Sequence, residues 1–168
     1  MESNITYCST PIGIAKIIGN TKGIQSITVL DVKSKEVLSF KKDPVIPQCL
    51  QDCVVQLEAY FKGTRTDFDL KLNPKGTPFQ RKVWESLQQI PYNTTRSYLE
   101  QANALGDVKA IRAVAAANGK NPIWIVIPCH RVIGSNGALT GYAGGIWRKK
   151  WLLAHENPVK QQSLFSSP

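Results

Sequence analysis

The residues best suited to chemistry in this 168-residue chain are Cys129 and His130, which stand side by side after an apolar segment and a proline. The apolar segment at residues 123–127 predicts a short buried strand, and Pro128 must end its ladder because proline has no N–H to donate. A free thiol has a pKa near 8.5, so only about 3% is thiolate at neutral pH without help from a base or a positive charge. His130 and Arg131 are of the types that give such help. A cysteine after an apolar strand is more often a buried hydrophobic residue, so the pair alone does not establish an active site.

The N-terminal part of the chain is predicted to form a small antiparallel sheet covered by a helix. β-rich segments at residues 13–18, 24–30 and 36–40 are separated by turn signals. Pro47 begins a helix that Gly63 is placed to end. The apolar residues of this helix fall on one face: Leu50, Cys53, Val54, Leu57 and Phe61.

Turn chemistry at residues 73–76 marks a domain boundary. It predicts an N-terminal α/β domain at residues 1–75, a mostly helical domain at residues 76–160, and a disordered tail at residues 161–168.

The second domain is predicted to contain a helix-turn-helix. Residues 77–80 form a capping box with proline at the first helical position, followed by an apolar stripe of Phe79, Val83, Trp84 and Leu87. A second capping box at residues 97–100 begins a short helix that Gly106 stops, and a third helix covers residues 109–117. Two short helices about a tight turn are typical of DNA-binding proteins. A last helix is predicted at residues 146–155, and it carries Lys149 and Lys150 beside Trp147 and Trp151.

The charge distribution favours a polyanionic partner. The net charge is +9, and residues 76–168 carry 11 Lys+Arg against 4 Asp+Glu, while residues 1–75 carry 10 against 8. A basic domain is the electrostatic footprint of nucleic-acid binding, although a solvated basic surface is about as common. No apolar segment is long enough to span a bilayer, no signal-peptide pattern is present, and four cysteines fit a reducing compartment.

The order of motifs from about residue 60 to residue 156 resembles the methylated-DNA-protein-cysteine methyltransferases, which repair 6-O-alkylguanine in DNA and are consumed in doing so. The matching segments are Gly76-Thr77-Pro78-Phe79-Gln80, Val83-Trp84, Ile90-Pro91-Tyr92, Ser97-Tyr98, Arg112-Ala113-Val114, Asn121-Pro122, Pro128-Cys129-His130-Arg131-Val132, Gly141-Tyr142-Ala143-Gly144-Gly145 and Trp151-Leu152-Leu153-Ala154-His155-Glu156. The first sixty residues match loosely.

The resemblance implies an α/β (α+β) fold, with a ribonuclease H-like N-terminal domain and a C-terminal winged helix-turn-helix domain. It also implies a cytoplasmic monomer, or a nuclear one in a eukaryote, that binds double-stranded DNA containing alkylated guanine and uses no cofactor. Cys129 would accept the alkyl group, possible substrates being 6-O-methylguanine and 4-O-methylthymine. His130 would take the thiol proton through a water, and Glu156 would orient the imidazole.

Further residues gain DNA-binding roles from the same resemblance. Arg112 would fill the space left by the flipped nucleotide, and Tyr98 would help rotate that nucleotide outwards. Ala113 belongs to an alanine-rich helix slim enough to approach DNA closely. Ala113 and Tyr98 each have a structural alternative, since alanine is a good helix former and Tyr98 is equally suited to the core.

The pocket predicted from the resemblance involves six residues. Asn121 would brace the segment before the active site, the Val132 carbonyl would read the guanine amino group, and the Ala143 N–H would face the base oxygen. Tyr142 and Gly144 would shape the pocket mouth. Trp124 either lines the pocket and disfavours large alkyl groups or packs as a buried strand residue.

No metal site is predicted, because Cys8, Cys49 and Cys53 lack a fourth ligand and structural zinc nearly always takes four. Three other functions remain open. The chain could bind alkylguanine without transfer, hydrolyse a small substrate with the same Cys-His-Glu set, or regulate transcription. Cys129 argues against the first, a single stoichiometric burst would exclude the second, and an alanine-rich helix offers few base-reading side chains for the third.

Overall fold

The computed structural model describes residues 2–41 and 45–158. The chain divides into two compact units, Met1–Lys75 with Pro122–Val126 and Gly76–Asn121 with Ile127–Pro168. The predicted domain bounds differ from these units at residues 122–126, which lie with the N-terminal unit. The tail predicted to be disordered, residues 161–168, lies outside the described residues.

The first unit contains a three-stranded antiparallel sheet in the order β1-β2-β3. Its strands are β1 (Asn4–Thr10), β2 (Gly13–Asn20) and β3 (Gly23–Leu30), of which the last two were expected from their composition. The strand expected at residues 36–40 is wrong, because Lys35–Ser39 forms a short helix, α1. The first turn of α1 is closed by a local hydrogen bond, in which the Leu38 N–H donates to the Ser34 carbonyl. None of the residues of α1 is buried, so the segment provides no side chain for the core of the sheet.

Helix α2 (Gln48–Phe61) covers this sheet, as its apolar face predicts. Its buried residues are Leu50, Cys53, Leu57 and Tyr60, so Tyr60 replaces the expected Val54 and Phe61. The helix ends at Gly63, which takes the left-handed φ of 78°. The Gly63 and Thr64 N–H groups donate to the Tyr60 and Ala59 carbonyls, the pair of bonds that defines a Schellman end.

The strand expected at residues 123–127 is also wrong. Ile123 makes a single parallel bridge with Ile27, and the Trp124 N–H donates to the Ile27 carbonyl at 2.9 Å. The chain then turns at Ile125, whose φ of 73° is incompatible with a continuing ladder. Burial of the Ile125 side chain compensates for a conformation that β-branched residues rarely adopt. The segment that precedes Cys129 is therefore a turn.

The second unit begins with α3 (Pro78–Leu87), and its predicted capping box is present in both directions between Thr77 and Gln80. Val83, Trp84 and Leu87 are buried, whereas Phe79 is 42% exposed and does not belong to the expected stripe. The Trp84 Nε1–H donates to the Ala117 carbonyl at 2.8 Å.

The helix-turn-helix consists of α4 (Tyr98–Ala104), a 3₁₀ turn at Val108–Ala110 and α5 (Ile111–Gly119). Gln101 and Asn118 exchange two buried hydrogen bonds of 2.9 and 2.7 Å, which fix the two helices against each other. A two-stranded parallel sheet joins β4 (Arg96–Ser97) to β5 (Val132–Ile133).

Helix α6 (Ile146–Glu156) follows, close to its predicted bounds. No helix among the described residues is long and apolar enough to cross a membrane.

Candidate active site

Cys129 begins a 3₁₀ turn, Cys129–Arg131, which follows the turn at residues 124–126 after Ile127 and Pro128. A 3₁₀ helix has three residues per turn, so successive side chains point in three different directions. Cys129 is 8% exposed and lines a cleft, while the His130 side chain is fully buried and Arg131 is 6% exposed. The turn thus presents a thiol to the cleft with an imidazole and a guanidinium behind it.

Behind Cys129, the side chains of His130, Arg131 and Glu156 form a buried polar cluster with His130 and Glu156 at its centre. His130 Nε2 and Glu156 Oε2 lie 2.7 Å apart. A carboxylate only accepts, so Nε2 carries the proton. His130 Nδ1 is buried without a hydrogen-bond partner among the described residues. It is therefore the ring atom left to accept a proton.

Burial and charge set the resting protonation of this pair. Burial lowers the pKa of His130 and outweighs the opposite effect of Glu156, so the imidazole is neutral at neutral pH. Burial by itself would raise the pKa of Glu156, but the charges and hydrogen bonds of His130 and Arg131 hold it well below its ordinary value. The resting pair is a neutral base held by a carboxylate.

Arg131 is a member of the cluster that the sequence reasoning did not use beyond naming it as a source of positive charge. Its Nε donates to Glu156 Oε1 at 2.8 Å and its Nη2 to Oε2 at 3.0 Å, the two-pronged geometry that arginine forms with carboxylates. Its Nη1 donates to the Ile90 carbonyl at 2.7 Å. The sequence signal that could have identified Arg131 as a site residue is its position in the same short motif as Cys129.

Asn121 lies just beyond α5 and makes two hydrogen bonds to the segment that contains Cys129. Its Nδ2 donates to the Ile127 carbonyl at 2.8 Å and to Cys129 Sγ at 3.2 Å. Burial raises the pKa of Cys129, and the Asn121 hydrogen bond and the charge of Lys149 offset only part of this. The resting sulfur is therefore a thiol, and attack requires a proton acceptor.

Lys149, on α6, is fully buried. Its Nζ donates to the carbonyls of Val132 at 2.6 Å, Thr140 at 3.0 Å and Gly141 at 3.4 Å. Burial lowers its pKa, and the neighbouring Cys129 acts in the opposite sense. Three carbonyl partners explain why a cation is tolerated there, and hydropathy alone gives no sign of them.

The cleft in front of Cys129 has a volume of about 470 Å³ and is lined entirely by the second unit. Besides Cys129, its walls come from α4 and α5 and from the loop before α6: Tyr98, Ile111, Arg112, Ala115, Asn118, Gly119, Thr140, Gly141, Tyr142 and Ala143. The Tyr98 hydroxyl donates to the Thr140 carbonyl at 2.9 Å. Arg112 is an exposed member of the wall.

Seven predicted site residues do not line this cleft: His130, Glu156 and Asn121, described above, and Ala113, Val132, Gly144 and Trp124. Ala113 is exposed on α5. Val132 and Gly144 are buried, and their carbonyls accept from Lys149 and Arg148. A carbonyl has two lone pairs, so the Val132 oxygen retains one for another donor. Trp124 belongs to the first unit, half-buried beside β3. A role for it in the pocket stays a prediction.

The other cysteines have no comparable surroundings. Burial raises the pKa of Cys8 to about 11 and raises that of Cys53 further. Cys49 Sγ donates to the Asn20 carbonyl at 3.0 Å. All four cysteines are free. Within residues 2–41 and 45–158, no group of three or more His, Cys, Asp or Glu residues is placed to hold a metal ion.

Comparison with known proteins matches almost the whole chain to one protein family. Residues 78–158 match the family model described as 6-O-methylguanine DNA methyltransferase, DNA binding domain, and residues 5–74 match the model for its ribonuclease-like domain. A methylated-DNA–protein-cysteine methyltransferase of Methanosarcina barkeri is 47% identical over 148 residues, which cover 88% of this chain and 92% of that protein.

Solved structures agree with the sequence relatives. The crystal structure of Mycobacterium tuberculosis O6-methylguanine methyltransferase superposes with a TM-score of 0.81 at 42% identity, covering 94% of both chains. The structure of the Mycobacterium tuberculosis OGT protein in complex with DNA gives a TM-score of 0.80 at 44% identity, covering 90% of this chain and 91% of the other.

Proposed function

The chain belongs to the family of methylated-DNA–protein-cysteine methyltransferases, and from this we propose that it repairs double-stranded DNA by moving an alkyl group from the 6-oxygen of guanine to Cys129. One observation carries the proposal. Cys129 faces a cleft large enough for a base, and the neutral imidazole of His130, the carboxylate of Glu156 and Arg131 form a hydrogen-bonded group behind it. The helix-turn-helix that supplies one wall of the cleft gives the means of binding DNA.

Access to the alkyl group requires the nucleotide to leave the duplex. A stacked guanine cannot present its alkyl carbon to a thiol at the bottom of a cleft, and unstacking costs a few kcal/mol. Arg112 is exposed on α5 beside the cleft, in place to occupy the vacated space, and the exposed Ala113 follows it. Tyr98 and Ala143 line the cleft that would hold the base.

The transfer step is a displacement at carbon. His130 Nδ1 takes the Cys129 proton through a water, and the sulfur attacks the alkyl carbon. The S–C bond forms while the C–O bond breaks, and guanine leaves with the electron pair and regains a proton from the imidazolium. Glu156 stabilises the transient charge on His130.

The product is a thioether, and this accounts for single turnover. Among the residues that line the cleft, no second thiol or amine is available to cleave an S–C bond of this kind. Each chain would act once and remain alkylated. A Cys-His-Glu hydrolase with the same geometry would instead release its product and turn over.

We further infer that the protein acts as a cytoplasmic monomer. All four cysteines are free thiols, which fits a reducing compartment. The cleft is built within one chain and needs no residue from a second copy. On this proposal no cofactor or metal takes part, because the attacking and proton-accepting groups are both side chains.

Stoichiometry tests the proposed function. The protein is mixed with a tenfold excess of duplex carrying 6-O-methylguanine with a labelled methyl group. We expect one methyl group per active chain and then no further reaction, and none with Cys129→Ser. Label beyond one per chain would indicate a hydrolase, and no label with retained binding would indicate a recognition protein.

A further inference from the structure

Arg131 binds directly to Glu156, the carboxylate of the proposed Cys129–His130–Glu156 relay. Its guanidinium meets both oxygens of the Glu156 carboxylate, and its third nitrogen reaches the Ile90 carbonyl beyond the end of α3. The Tyr92 ring lies 5.7 Å from the guanidinium carbon. Arg131 therefore holds the relay carboxylate against a fixed part of the unit.

His130 and Arg131 together donate three hydrogen bonds to the Glu156 carboxylate. Oε1 accepts from Arg131 Nε, while Oε2 accepts from both His130 Nε2 and Arg131 Nη2. Rotation of the carboxylate would break both bonds of the guanidinium fork. The plane of the fork thus fixes the direction from which Glu156 meets the imidazole.

We propose that Arg131 is a positioning residue of the transfer reaction, which orients the Glu156 carboxylate and keeps the resting His130 free of a second proton. The inference rests on the proposed function, since it concerns how Cys129 loses its proton. A carboxylate alone would favour a protonated imidazole. The permanent positive charge of Arg131 on the same carboxylate opposes this, so that Nδ1 stays available as an acceptor.

Other ionisable groups face the cluster and do not replace Arg131. Lys149 adds positive charge from α6, but its Nζ is bound to carbonyls of the Val132 and Thr140 segments. Tyr92 and Tyr142 face it from two loops, and burial raises the pKa of both, so they stay neutral. Cys129 itself is a thiol at rest. Arg131 is the cation in direct contact with the carboxylate.

Two substitutions separate the charge of Arg131 from its geometry. Arg131→Met removes both. Arg131→Lys keeps the charge in the same volume but loses the fork, and it is the variant more certain to fold. Arg65→Met is the control, because Arg65 lies in the first unit and donates to the Asp67 carbonyl.

The readouts are the single-turnover rate constant as a function of pH and the pKa of His130 from NMR, in a His155→Gln background that leaves one histidine. For Arg131→Met we expect transfer at neutral pH to slow about tenfold to a hundredfold. The pKa of His130 should rise by about one pH unit or more, and the apparent pKa of the acidic limb of the pH–rate profile should rise with it. For Arg131→Lys we expect a slower rate with the wild-type pKa of His130, and for Arg65→Met no change.

Two results would overturn the inference. One is a folded Arg131→Met protein whose His130 pKa and acidic limb match those of wild type. The other is an Arg131→Lys protein that transfers at the wild-type rate. Failure of the wild-type protein itself to accept a methyl group would instead refute the proposed function, so the two failures are distinguishable.

Discussion

Cys129 does not owe its reactivity to a low resting pKa. Burial raises the pKa of Cys129 just as it raises that of Cys8, and neither Asn121 nor Lys149 offsets the effect in full. What distinguishes Cys129 is its position in a cleft next to an imidazole with an unoccupied acceptor nitrogen. The sulfur of Cys129 is therefore a protonated thiol at rest, and its proton is removed during the transfer step.

His130→Gln tests this dependence at the level of one side chain. Without the base, transfer at neutral pH should slow by about two to four orders of magnitude. Because burial raises the pKa of Cys129, the rate should recover only as pH rises above the ordinary thiol range, where thiolate forms without a base. His155→Gln on the same helix as Glu156 is the control and should behave as wild type. Parallel pH–rate profiles for His130→Gln and wild type would contradict the role of the imidazole.

At the scale of elements, the sequence correctly predicted the features that depend on hydrogen bonds between residues close together in the chain. The Thr77–Gln80 capping box and the Gly63 helix end are present because their bonds lie within a few residues. The same reasoning failed at residues 123–127, where one left-handed residue, Ile125, converts an apolar segment into a turn. The burial of Lys149 has no local signal either, since its carbonyl partners come from β5 and from the loop before α6.

Arg112→Ala tests the role of α5 in the proposed flipping of the nucleotide. Arg112 is exposed at the edge of the cleft, so its loss should leave the cysteine, His130 and Glu156 intact. We expect repair of duplex DNA to slow much more than reaction with free 6-O-methylguanine, because only the duplex has a space to fill. Arg81→Ala, an exposed change on α3, is the matched control. Equal losses on both substrates would remove the assignment.

At the scale of the whole molecule, motif order predicted the fold, because the family fixes long-range contacts that a single sequence does not display. The Cys129, His130 and Glu156 cluster was identified in this way, and the structure brings its members together. The fork of Arg131 and the Gln101–Asn118 pair were not identified, since each joins polar groups far apart in sequence. Such pairs carry no periodic signal.

The buried cluster also predicts how stability changes with pH. The pKa of His130 is lowered on folding and so is that of Glu156. The unfolded chain therefore binds more protons, and the free energy of unfolding should fall as pH drops below about 6.5 through His130 and below about 4.5 through Glu156, by at most about 1.4 kcal/mol per pH unit for each group.

Chemical denaturation at pH 8, 6.5 and 5.5 measures this change, with His130→Gln as the reference for the histidine contribution. The wild-type protein should lose more stability than the variant between pH 6.5 and 5.5. Curves that run parallel over this interval would show that His130 binds its proton equally well in the folded and unfolded states.

The most direct test of the account is the mass of the protein after one reaction. The wild-type chain is incubated with duplex DNA containing a single 6-O-methylguanine, and intact-mass measurement is followed by peptide mapping. The account predicts one added methyl group, located on Cys129, with Cys8, Cys49 and Cys53 unmodified and unaltered guanine left in the DNA. An unmodified protein, or a methyl group on any other residue, would contradict it.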